Sequence, residues 1–139
     1  MIRNDTDYAL RMVVYLAGRN PPGAATAELS AGLGVPHGFA QKILRRLAAA
    51  GILKVRLGRG GGFSLNRKPD RVSLREVIVA IQGPPRLNRC MAGPGACALQ
   101  TSCKISASLK PIQRKLDAFL SGTSLSDILG RARPRRKAP

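Results

Sequence analysis

Three cysteines, Cys90, Cys97 and Cys103, are the only cysteines of the chain and stand together with the spacing C-x6-C-x5-C. Glycine, proline and small residues fill the segment around them, and Arg86, Arg89 and Lys104 flank it. Thiolates are soft ligands suited to iron–sulfur clusters, zinc or copper(I). Zinc sites favour C-x2-C pairs, in which a tight turn sets two sulfurs on one tetrahedron. The wider spacing here suits a loop that wraps a larger metal core. The flanking cations complement thiolate charge. Three cysteines cannot all pair within one chain, which argues against a disulfide framework. The plain alternative is three ordinary small side chains.

The second group of candidate residues is basic. The chain has 139 residues, with 24 Lys and Arg against 7 Asp and Glu, a net charge of +17. Such an excess repels itself in a compact protein and implies a polyanionic partner. Nucleic acid is the first candidate and an anionic membrane surface the second. No apolar run approaches the roughly 20 residues that cross a bilayer. The first residues carry Asp5 and Asp7 and do not read as a secretory signal. A cytoplasmic protein with reduced thiols is expected. No nucleophile with a matching base and no acid–base pair stands out, so an enzyme is not expected. The run Gly58–Gly62 lacks the lysine and serine of a phosphate-binding loop and precedes a strand rather than a helix.

These residues need elements to position them. Ala9, Met12, Val13 and Leu16 predict a helix over 6–18, with Thr6 as its cap and Asp7 at its positive end. Thr26, Leu29 and Leu33 predict a second, short helix that Gly34 stops. Pro36 opens a third, with Phe39, Ile43, Leu44 and Leu47 facing inward. Two helices joined by a short turn, the second basic, make a helix-turn-helix. His37, Gln41, Lys42, Arg45 and Arg46 of this third helix are the candidate DNA contacts. Gln41 and Arg45 suit bidentate contacts to base edges, and Lys42 and Arg46 suit phosphates.

The period then changes to two. Leu53, Val55 and Leu57 alternate with Lys54 and Arg56, glycines turn the chain, and Phe63-Ser64-Leu65 returns. The hairpin predicts a wing that presents Arg56 and Arg59 to DNA. Ser73 and Glu76 form a capping-box pattern that opens a fourth helix. Beyond the cysteines, Ile105, Leu109, Ile112, Leu116 and Phe119 repeat at steps of four and three, a coiled-coil seam that needs a partner. A two-fold dimer reading a palindrome is the economical arrangement. Pro111 should kink this helix or delay its start. Ser124 and Asp127 open a last short helix.

The expected fold is therefore mainly α with a small β-hairpin, a winged helix-turn-helix plus a long C-terminal dimerisation helix. Its segments are the DNA-binding domain over 1–83 and the cysteine loop over 84–103, then the dimerisation and short terminal helices over 104–130. A basic tail over 131–139, with five positive charges, is expected to be disordered.

Several pieces stand in a familiar order: Thr6-Asp7-Tyr8-Ala9-Leu10-Arg11, Lys42-Ile43-Leu44-Arg45-Arg46-Leu47, Ala50-Gly51-Ile52-Leu53, Gly60-Gly61-Gly62-Phe63 and the three-cysteine loop. Together they resemble the bacterial iron–sulfur winged-helix regulators typified by IscR, NsrR and RirA, over about residues 1–130. The resemblance implies a homodimeric repressor or activator. It implies that Cys90, Cys97 and Cys103 hold a 2Fe–2S or 4Fe–4S cluster that senses iron supply, redox state or nitric oxide. It also implies that the third helix and wing touch double-stranded DNA. Some relatives draw a fourth ligand from a histidine three residues past the last cysteine; Ser106 stands there. Others use an acid at the start of the first helix, donated by the second subunit; Asp7 stands there. Relatives often carry an arginine just before the wing's first glycine, where this chain has Leu57. The rival is a constitutive winged-helix DNA-binding protein with structural zinc or no metal.

Overall fold

In the computed structural model, which describes residues 1–131, helix α1 spans Asn4–Ala17 and turns Ala9, Met12, Val13 and Leu16 inward. Of the basic tail expected over 131–139, only the backbone of Arg131 falls within the described residues. Helices α2 (Thr26–Leu33) and α3 (His37–Ala49) follow, joined by a turn in which Gly34 takes a left-handed φ of 65°. The Ser30 hydroxyl donates to the Val35 carbonyl at 2.6 Å, and Val35 is buried. That pins the turn and fixes the angle at which α3 leaves it. Strands β1 (Leu53–Arg56) and β2 (Gly62–Leu65) pair antiparallel, with Leu53 opposite Leu65 and Arg56 opposite Gly62. Phe63 and Ala24 also exchange two backbone hydrogen bonds, which moor the hairpin to the segment before α2.

Helix α4 (Leu74–Gln82) starts on a complete capping box: the Ser73 hydroxyl accepts from Glu76 N–H, and the Glu76 carboxylate accepts from Ser73 N–H. Helix α5 (Lys104–Gly122) lies against α4, and α6 (Leu125–Arg131) turns back onto α1. Leu125 N–H donates to the Val72 carbonyl at 2.9 Å, and Leu74 N–H donates to the Thr123 carbonyl at 2.9 Å. Leu125 is therefore buried in the same core as Met12, Leu29, Leu44, Leu47, Leu53 and Val77. The terminal helix closes the core built by α1–α4 instead of extending the long helix.

The winged helix-turn-helix with a long C-terminal helix stands as expected, and several local expectations do not. Thr6 is not a cap: α1 begins two residues earlier, Asp5 accepts from Thr6 N–H at 2.9 Å, and the Thr6 hydroxyl is buried without a partner. Thr26 is not a cap either, because the bridge to Phe63 delivers Ala25 into the N-cap position in extended form. Phe39 is 55% exposed, since Ala40 takes the inward place on α3; its ring stands 6.5 Å from that of Tyr8. On β1 only Leu53 is buried, because the hairpin leaves the body after that residue and both of its faces meet solvent. Pro111 does not delay α5, which runs from Lys104 through it. Pro111 sits on an exposed face, where water can take the carbonyl one turn back that has lost its donor.

Candidate DNA interface and cysteine loop

The exposed face of α3 carries His37, Gln41, Lys42 and Arg45, with Gly38 between them. A Cβ at Gly38 would meet nothing within 4 Å, so the helix is bare at that one position between exposed His37 and Phe39. Arg46 has another partner: its guanidinium donates to the Ile81 carbonyl at 3.1 Å, across to the end of α4. Arg56 is also held, donating to the Pro22 carbonyl beside the hairpin. Arg19 donates to the neighbouring Gly23 carbonyl at 3.1 Å and pairs with Glu28 at 2.5 Å. These two arginines brace the loop under the wing. Arg59 is exposed at the hairpin tip. The expected contact residues thus divide. His37, Gln41, Lys42, Arg45 and Arg59 are presented outward, while Arg46 and Arg56 also tie elements together.

The cysteine loop runs between α4 and α5. Cys90 is buried in a 3-10 turn, Arg89–Met91, that packs on α5. Cys97 is half-buried in the next turns, and Cys103 is half-buried as the N-cap residue of α5. Gln100 holds the loop from inside: its amide donates to the Cys90 and Gly93 carbonyls at 2.6 and 3.1 Å and accepts from Gly95 N–H. Gln113 of α5 is buried and clamps the loop's start, accepting from Leu87 N–H and donating to the Pro85 carbonyl, both at 2.9 Å. Cys90 borders an open depression of about 410 Å³ with Met91, Gly93, Gln100 and Lys110.

The donor set suits a soft metal centre: three free thiols, no carboxylate or imidazole between residues 86 and 104, and Lys110 at the edge of the depression. Among the described residues, no three His, Cys, Asp or Glu side chains are gathered as a metal site. Holding a cluster therefore requires the loop to draw in. Gly93 and Gly95, both at positive φ, and the terminal position of Cys103 leave it the freedom to do so. Asp7 lies on α1 and pairs with Arg11 at 3.0 Å, both partly exposed. The described structure does not bring it to the cysteines.

Iron-dependent transcriptional regulators of the Rrf2 family match this sequence over residues 2–131. The chain belongs to the Rrf2 family. It is 32% identical over 128 residues to the HTH-type transcriptional repressor NsrR of Streptomyces coelicolor, across 89% of this chain and 84% of that protein. It is 30% identical over 135 residues to protein aau3 of Rhizobium meliloti, across 96% and 87%. Two solved structures share its fold. One is IscR of T. potens, with a TM-score of 0.77 and 16% identity over 100% of this chain and 93% of that one. The other is CymR, the global cysteine regulator of B. subtilis, with a TM-score of 0.75 and 19% identity over 95% and 98%. This Rrf2 chain is a DNA-binding transcriptional regulator and not an enzyme.

Two residues of this Rrf2 protein escaped the sequence reading. Gln100 and Gln113 organise the cysteine loop through backbone carbonyls and amides. The one available signal was Gln113 itself, a polar residue one position past the seam residue Ile112, and side-chain type alone gave no partner for it. Among the described residues no helix is long and apolar enough to cross a membrane.

Proposed function

We propose that this chain is a homodimeric, cytoplasmic regulator whose affinity for a palindromic operator is set by an iron–sulfur cluster at Cys90, Cys97 and Cys103. Asp7 from the second subunit is the candidate fourth ligand. One observation carries the reading: the cysteine loop is covalently continuous with the first turn of α5, because Cys103 is its N-cap residue. A 2Fe–2S or 4Fe–4S cluster, when bound, supplies a centre that responds to iron supply, oxidants or nitric oxide.

The chain's own residues carry the rest. Drawing Cys90, Cys97 and Cys103 together strains the contacts that Gln100 makes to the Cys90 and Gly93 carbonyls. It also pulls on the N-terminus of α5. Gln113 passes that pull to residues 85–87, directly after α4. Arg46 joins the end of α4 to α3 through the Ile81 carbonyl. A continuous set of contacts therefore runs from the loop to the recognition helix. Ile105, Ile112 and Phe119 stand exposed at seven-residue steps on α5, the stripe expected of a two-fold seam. Two recognition helices engage one palindrome only at the right spacing, so a small shift of α5 has a large effect on affinity.

Anaerobic purification with iron and sulfide quantitation and a visible spectrum tests the cofactor. Operator titration with cluster-loaded and cluster-free protein tests the switch. The expected result is iron-bearing, coloured protein whose two forms differ about tenfold or more in affinity. Colourless protein that takes up no cluster supports the rival, a constitutive DNA-binding protein with zinc or no metal. Equal affinities remove the switch.

A further inference from the structure

The tip of the wing is almost free of side chains, and the apolar one that remains points into solvent. Leu57, just past β1, is 93% exposed. Gly58 and Gly60 follow it at φ values of 92° and 71°, each with nothing within 4 Å of where a Cβ would stand. Gly61 and Gly62 complete the run. The base of the hairpin is braced on two sides, by Arg56 on the Pro22 carbonyl and by Phe63 on Ala24. The result is a narrow backbone ribbon, fixed below, from which Leu57 and Arg59 project.

A single exposed leucine is ordinary. The surroundings of this one are not. Four of the five residues that follow it are glycines, which leaves Arg59 as the one other side chain of the tip. Arg59 at the tip, exposed Lys54 on β1 and the net charge of +17 draw the ribbon towards a polyanion. Arg56 is occupied on the body side, so Leu57 and Arg59 are the side chains that the tip presents.

We propose that Leu57 is a minor-groove wedge. The inference rests on DNA binding through α3 and is independent of the cysteine loop. A minor groove is about 6 Å wide, which admits a glycine ribbon more readily than a hairpin with side chains on both faces. Leucine is among the apolar side chains that partly unstack a base step there and kink the duplex. Pyrimidine–purine steps, TA and CA, yield most easily. Leu57 therefore selects for a deformable step flanking the bases that α3 reads, without a hydrogen bond to that step.

The test uses duplexes retained by the full-length wild-type protein from a random pool, with 2-aminopurine placed at successive flanking positions. The expected result is a fluorescence rise at one flanking step on saturation with wild-type protein or Leu57→Met. Leu57→Ala should melt at the wild-type temperature and show no rise. It should bind about tenfold more weakly, the scale of burying one leucine side chain. A wild-type protein that retains no duplex overturns the DNA-binding reading and this inference with it. Retention without a rise at any flanking position, or with an equal rise for Leu57→Ala, overturns the wedge alone.

Discussion

Glu76 sits in the first turn of α4 with Arg67 at 2.8 Å and the Ser73 N–H at 2.9 Å. Burial pushes its pKa up, but the Ser73 hydrogen bond and the Arg67 guanidinium outweigh that, and the carboxyl titrates below its ordinary value. A carboxylate with a lowered folded pKa stabilises the fold above its unfolded value of about 4.3, and that stability is lost as pH falls through the folded value. Glu76→Gln should therefore cost about 1 kcal/mol or less at neutral pH, since the pair is partly exposed. The gap should narrow as pH falls below the unfolded value of about 4.3 and close once it passes the lower folded value. Urea midpoints at neutral and acid pH check this; a gap independent of pH would leave the ionised form with no role. On α3 the division is between reading and holding. Arg45→Ala should change which sequences are bound, while Lys42→Ala should weaken all of them alike and flatten the salt dependence. Competition against an operator and a random duplex separates the two, and parallel losses would contradict it.

Among the elements, the hairpin depends most on one residue. A Cβ at Gly62 would lie 2.2 Å from the Ala24 carbonyl oxygen, and its φ of 153° is one that side chains rarely adopt. Gly62→Ala should destabilise the protein by about 2 kcal/mol or more and release the wing from Ala24. Hydrogen exchange at Phe63 N–H, which donates to Ala24, would report the release directly. This element also shows what the sequence made legible. The glycine run announced a turn, and Ser73 with Glu76 announced a cap, because those bonds close within a few residues. The helices were legible from apolar spacing for the same reason. The partners of Arg46 and Arg56 lie 35 and 34 residues away. Residue type made both arginines candidates for DNA, and only the fold shows what else they hold. Phe39 misled for a related cause. Helical period defines an inward arc, but whether Phe39 or Ala40 falls inside its edge depends on how α1 packs. The cysteine spacing marked a candidate metal-binding loop, while the partners of Gln100 and Gln113, which shape it, were not legible.

At the scale of the whole molecule two forces oppose each other. Exposed Ile105, Ile112 and Phe119 form one stripe on α5, while Ser106 and Gln113 mark the buried face that packs against the rest of the chain. Burying that stripe against a second copy removes apolar surface from water. Bringing together two chains of +17 each opposes it. Salt screens the repulsion and leaves the apolar term, so dimerisation of the free protein should strengthen between about 50 and about 500 mM salt. DNA affinity should fall over the same range, because phosphate contacts release counterions. Two opposite salt dependences in one protein are the signature of an apolar seam between cationic heads. Ile112→Asp places a charge at the middle of the stripe and should give a monomer at every salt concentration, with operator affinity reduced to that of a half-site. The substituted side chain is exposed in the single chain, so the melting temperature of the monomer should show that the body remains folded. Sedimentation equilibrium across the salt series reads the assembly. A wild-type protein that stays monomeric throughout would leave α5 without its partner and remove the two-fold geometry on which operator spacing depends.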